Sequence, residues 1–161
     1  MNVIKYQKSL KLILFLSIFA LVSAYFIQYV LGHQPCNLCL FERVPYLSSI
    51  IIILSCFYFK KFEKISLILL SLIFFFATIL SFYHFGIEQG FIKESLVCNL
   101  SVGDNFINPE ELLKSLKEKP TSCKDVTFRL FGLSLATINI FISLIMSVIT
   151  LKLFLDYEKN K

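Results

Sequence analysis

Three apolar runs, Leu10 to Leu31, Ile65 to Phe85 and Leu130 to Leu155, constrain this chain more than any other feature. A helix that crosses roughly 30 Å of hydrocarbon needs about 20 mostly apolar residues, because its backbone polar groups must bond within the segment. Each run meets that length. With 57% hydrophobic and 17% charged residues in 161, the chain has too little interior to hide its apolar side chains, so its surface must face lipid. The expected class is an all-α integral membrane protein, organised as a single domain over residues 1–161.

A fourth candidate span, Pro45 to Phe59, is only 15 residues long and rises about 22 Å. To cross the bilayer, that helix must start near Cys39 and carry Glu42 and Arg43 into the membrane edge. The predicted helices therefore cover about 10–31, 39–59, 65–85 and 130–155, with outer loops at about 32–38 and 86–129. Joined by short, short and long connections, they fold most simply as an antiparallel four-transmembrane-helix bundle.

Basic residues near the spans set the orientation. Lys5, Lys8, Lys11, Lys60, Lys61, Lys64, Lys152, Lys159 and Lys161 lie on one side, with only Glu63, Asp156 and Glu158 as acids. The other side has no positive excess. Both termini are therefore expected in the cytoplasm of a bacterium, and the loops in the periplasm, with the protein multi-pass in the inner membrane. The net charge of +5 is explained by the cytoplasmic lysines and calls for no nucleic acid partner. The apolar run at the amino end, through Tyr25 to Leu31, is longer than a cleavable signal requires and reads as a retained helix.

The long outer loop carries its own helix signal. Asn108-Pro109-Glu110-Glu111 combines an N-cap, a proline at the first helical position and a glutamate three residues after the cap. Leu112, Leu113 and Leu116 share a face, and Lys119-Pro120 ends the segment, predicting a short amphipathic helix on the membrane surface or packed on the bundle. Cys98 and Cys123 flank it.

Of five cysteines, Cys36, Cys39, Cys98 and Cys123 fall in or beside the outer loops, where an oxidising compartment favours disulfides. Four thiols allow three pairings, and spacing does not choose among them. Cys36-Asn37-Leu38-Cys39 is a C-x-x-C motif. A zinc site would normally show a second such pair or a cysteine–histidine pair, and haem attachment needs a histidine where Leu40 stands, so no metal is expected. Cys56, within a span, reads as a buried, inert thiol.

The charges around the motif favour redox chemistry. A helix starting near Cys39 puts that sulfur at the positive end of the helix dipole, and Arg43, four residues on, adds a fixed charge; both favour a thiolate. Glu42 partly opposes this, and Arg43 could alternatively snorkel to the interface. His84 falls at the depth of Arg43 on the third span, while His33 is a loop residue.

Cys-Asn-Leu-Cys-Leu-Phe-Glu-Arg at 36–43, Tyr-His-Phe-Gly-Ile-Glu-Gln at 83–89 and Phe-Arg-Leu-Phe-Gly-Leu-Ser at 128–134 resemble the bacterial disulfide bond formation protein B (DsbB) family over nearly the whole chain. The resemblance implies a quinone-dependent enzyme that reoxidises a periplasmic DsbA-like thiol oxidase. It implies disulfides Cys98–Cys123 and Cys36–Cys39, with Cys98 taking the partner's thiol, Cys36 exchanging with Cys123, and Cys39 facing a quinone (ubiquinone or menaquinone). It places Arg43 and His84 at the quinone, Glu42 as a supporting acid, and the quinone between the second and third helices. Phe128 stands where the family has a tryptophan and Lys124 where it often has an acid, departures expected to alter partner docking. The rival readings are a vitamin K epoxide reductase-like protein, in which the two cysteine pairs come in the reverse order, and a non-catalytic metal-binding membrane protein.

Overall fold

The computed structural model describes residues 3–58, 63–94, 98, 122–124, 128–130 and 132–159. Its elements are α1 (Val3–Tyr29), α2 (Asn37–Phe41), α3 (Val44–Tyr58), α4 (Glu63–Glu88), β1 (Arg129–Leu130), β2 (Leu133–Ser134) and α5 (Leu135–Lys159). Among the described residues, four stretches are long and apolar enough to cross a membrane: Gln7–Tyr29, Asn37–Tyr58, Glu63–Glu88 and Leu135–Lys159. The amphipathic helix read from Asn108 onward lies outside the described residues.

The second span starts earlier than Cys39 and is broken. Cys36 caps α2, its Sγ accepting the Cys39 backbone N–H at 3.3 Å, the position a serine or aspartate oxygen usually fills. The helix then stops at Phe41 because Pro45 has no N–H to return to the Phe41 carbonyl. Glu42 N–H reaches Leu38 O at 2.9 Å and Arg43 N–H reaches Leu40 O at 3.1 Å, a tightened turn before α3 resumes. That turn sends Glu42 inward, where it is 8% exposed, while Arg43 stays half-buried.

The fourth helix starts at Leu135, although the apolar run begins at Leu130. Gly132, at φ +83°, turns the chain in the left-handed region, and Arg129–Leu130 pairs antiparallel with Leu133–Ser134, Arg129 opposite Ser134. This small hairpin is the one departure from an all-helical fold among the described residues. Ser134 Oγ then accepts the Thr137 N–H at 3.2 Å and caps α5.

Packing joins α4 to α5 most extensively, α1 to α3, and α3 to α4. The core at one end holds Leu10, Ile13, Ile53, Leu67, Leu70, Phe74 and Met146, with Cys56 buried among them and not disulfide-bonded. Small hydroxyl residues sit where helices approach. Ser49 Oγ donates to Ser17 Oγ at 2.9 Å between α3 and α1, and Thr78 Oγ1 to Ser143 Oγ at 3.2 Å between α4 and α5. Such pairs are the expected contacts where lipid gives helices no hydrophobic reason to associate. Phe15, Phe19, Phe76, Phe82 and Phe141 point outward instead, making the apolar surface that a bilayer covers.

Candidate redox site

The two cysteine pairs meet in one buried cluster. Cys36, Leu38, Ile87, Cys98 and Cys123 pack together at 5% exposure or less, with Leu80 and Tyr83 at the side. Cys98 and Cys123 are joined by a disulfide with a Cα–Cα distance of 5.8 Å. Cys36 and Cys39 are not joined. Their sulfurs lie 2.7 Å apart, one thiol donating to the other. Glu94 ties the loop down: its Oε1 accepts from Ser122 Oγ and, at 3.2 Å, from the Lys124 N–H.

The favoured thiolate is on Cys36. Its neighbour Cys39 donates to its sulfur and lowers the Cys36 pKa from an ordinary 9.0 to about 5. Burial opposes that shift, and His84, 3.5 Å away through Nε2, adds to it. Sequence reasoning put the dipole and the thiolate at Cys39, because it started the helix there; with α2 beginning at Asn37, the capping sulfur is that of Cys36.

His84 does not reach outward from its helix. Its Nδ1 lies 2.9 Å from Glu42 Oε1 and its Nε2 is 3.8 Å from Glu88 Oε1, so an imidazole bridges the Cys36 sulfur and two carboxylates. The other Glu42 oxygen accepts from Asn139 Nδ2 at 3.0 Å; Asn139 Nδ2 also donates to Ser81 Oγ at 2.7 Å, and the Tyr46 hydroxyl donates to Asn139 Oδ1. Three spans thus share one polar network, as buried polar groups in a membrane must.

Beside this network is a cavity of about 250 Å³. Its walls include apolar residues of α1 and α5 such as Ala24, Ile27 and Ile138, and its polar lining includes Cys39, Glu42, Arg43 and Gln28. It lies among the first, second and fourth spans. The reason is packing: α4 is pressed against α5, and its His84 faces Cys36 and Glu42, leaving the α1 side open. Arg43 is aimed by Gln28, whose Oε1 accepts from Nη1 at 2.6 Å, and by the Tyr25 ring, 4.9 Å from its guanidinium carbon. Phe128 lines the same cavity and packs edge-on to His33 at 5.2 Å.

Sequence reasoning missed Gln28, Tyr46, Glu88, Glu94 and Asn139. Gln28 and Asn139 had a signal, each being a lone amide inside an apolar run. Among the described residues, the ligand atoms of Cys36, Cys39 and His84 lie within 4.8 Å of one another, a set that could hold a soft metal ion. The loop cysteines cannot join it while they are bonded to each other.

A closed disulfide packed on an open dithiol, within four spans, is equipment for passing electrons between sulfur pairs, and it puts the protein in the class of membrane oxidoreductases of disulfide bond formation. The sequence profile of "Disulfide bond formation protein DsbB" matches residues 7–153, and the chain belongs to that family. The "Uncharacterized protein RP370" of Rickettsia prowazekii (strain Madrid E) is 31% identical over 156 residues, covering 95% of this chain and 90% of that protein. No solved structure matches the chain.

Proposed function

We propose that the protein reoxidises a periplasmic DsbA-like dithiol oxidase and passes the electrons to a membrane quinone, ubiquinone or menaquinone. The observation that carries this reading is the continuous path from the Cys98–Cys123 disulfide, packed on Cys36, through Cys39, to an apolar cavity that Cys39 lines. The positive-inside count supports cytoplasmic termini and a periplasmic location of the cysteines in the bacterial inner membrane.

The residues fit a quinone. The cavity is walled largely by apolar residues of α1 and α5, as an isoprenoid-bearing ring requires, and Arg43 in its lining offers a guanidinium donor. A bound quinone supplies a lipid-soluble two-electron acceptor. The chain's own residues do the rest. A partner thiolate opens Cys98–Cys123 by exchange, freeing Cys123 beside Cys36. Cys123 then attacks Cys36, forming a Cys36–Cys123 bond and expelling Cys39 as a thiolate; the partner's second thiol expels Cys98 and leaves oxidised, and Cys98 attacks Cys123, restoring Cys98–Cys123 and freeing Cys36. What remains is a reduced Cys36/Cys39 pair next to a closed loop disulfide. Arg43 would place its positive charge beside a bound ring, and Cys39 is the sulfur of the pair that lines the cavity.

The test is purified protein in detergent with a reduced DsbA-like partner and a short-chain soluble quinone, followed by loss of quinone absorbance. Quinone reduction that Cys39→Ser abolishes is expected. No reduction by the wild type, or full reduction by Cys39→Ser, removes the reading.

A further inference from the structure

Oxidation of the dithiol forms one S–S bond and releases two protons, the one on the Cys39 thiol and the one that the Cys36 thiolate has already given up to its buried neighbours. The two electrons and two protons go to the quinone, giving the quinol. Electrons need only sulfur contact, but protons in a bilayer need a chain of bonded acceptors. Cys39 lines the cavity, so its proton is already there, whereas Cys36 is 5% exposed and is not part of the cavity wall. The Cys39 thiol is already the donor to the Cys36 sulfur, so the proton that Cys36 sheds leaves on its other side, toward His84.

We propose that His84 and Glu42 form a proton wire from the Cys36 thiol to the quinone cavity. Cys36 Sγ meets His84 Nε2 at 3.5 Å, His84 Nδ1 meets Glu42 Oε1 at 2.9 Å, and Glu42 lines the cavity. Each group both accepts and donates, so protonation of imidazole at Nε2 with release from Nδ1 moves one proton from sulfur to carboxylate. Glu42 then holds it at the cavity wall.

Asn139 makes the wire directional. Its amide nitrogen occupies Glu42 Oε2 and Ser81, while its oxygen is taken by Tyr46, so the amide cannot turn over without losing three bonds. Glu42 Oε1 is therefore kept on His84. Glu88 is the other carboxylate near the ring, but it sits 3.8 Å away and does not line the cavity, so a proton placed there would not reach the acceptor.

This inference rests on the quinone reading for its last step, and the test separates the two. In quinone-free full-length protein, the reduced-minus-oxidised infrared difference spectrum should show a proton arriving at the imidazole–carboxylate pair, with the carboxylate band absent in Glu42→Gln and the imidazole band absent in His84→Gln. With a short-chain quinone and pre-reduced protein, Glu42→Gln should reduce it about 100-fold more slowly, a loss of the size general acid–base groups supply. Its quinone affinity should stay within about twofold, and Glu42→Asp should recover part of the rate. The wild-type rate should fall in deuterium oxide, and the rate of Glu42→Gln should lose that sensitivity.

A wild-type rate in Glu42→Gln, or no carboxylate change on reduction of the wild type, overturns the wire. So does a slow Glu42→Gln whose quinone affinity has dropped tenfold, which would make Glu42 a binding group only. If Glu42→Gln does not fold, the wild-type infrared spectrum and Glu42→Asp decide. Wild type that reduces no quinone refutes the function above while leaving the infrared test of the wire intact.

Discussion

His84 on α4 holds its Nε2 3.5 Å from the sulfur of Cys36, the residue that caps α2, across 48 positions of sequence. With the thiol of Cys39 donating to the same sulfur, the Cys36 pKa falls to about 5. In the reduced protein, the alkylation rate of Cys36 should be flat above about pH 6 and fall tenfold per unit below 5, because only thiolate reacts. His84→Gln should move the midpoint upward, read from mass spectrometry of the labelled peptide. The sign for stability follows: a depressed acid pKa stabilises the folded dithiol form fully above 9.0 and loses that contribution as pH falls through about 5. An alkylation midpoint unmoved by His84→Gln would detach His84 from Cys36.

Arg43 and Gln28 should behave as a pair. Arg43→Ala removes the guanidinium from the cavity and should weaken quinone affinity by about tenfold or more, since a hydrogen bond to a charged group is worth about 1.5–3 kcal/mol. Gln28→Leu leaves the charge but unties it, and should weaken affinity by a smaller factor. Titration of purified protein with a short-chain quinone reads both. Equal affinity in wild type and Arg43→Ala would remove Arg43 from the cavity's working end.

Asn139→Leu should be among the more destabilising single changes in α5. It strands Glu42 Oε2, Ser81 Oγ and the Tyr46 hydroxyl together, and a buried polar group left without its partner costs about 1–3 kcal/mol. Thermal unfolding in detergent should show a clear drop, with Ser81→Ala losing less. A melting temperature equal to wild type would mean the network is not formed in the folded protein.

The loop disulfide is covered, with Cys98 and Cys123 each 2% exposed, so its reduction requires local opening. Glu94 holds the segment through Ser122 and Lys124. Glu94→Ala should therefore speed the reduction of Cys98–Cys123 by a small phosphine severalfold while leaving the four spans folded, measured by thiol labelling over time. Unchanged labelling kinetics would show that Glu94 does not limit the opening.

Hydropathy is a local property, and it reveals what each stretch of chain dissolves in. That is why the four spans, and the need of the short second run to borrow Cys39 to Val44, are legible in the residues themselves. The Cys-x-x-Cys motif and its neighbour Arg43 are legible for the same reason, since they lie within one turn or two of helix. Local breaks were harder: Pro45 interrupts the second span and Gly132 delays the fourth, yet both sit in runs whose hydropathy alone suggests continuous helix.

Only the tertiary structure decided which side chains meet. The rotation of each helix about its axis is fixed by packing against its neighbours, and a span surrounded by lipid carries little periodic signal to announce it. Hence His84 turned out to face Cys36 and Glu42, the amide of Asn139, 97 residues from Glu42, closed their network, and the cavity opened toward α1. The sequence determined a membrane bundle with reactive sulfur at one end; the packing of α4 on α5 determined where the charge on that sulfur can go.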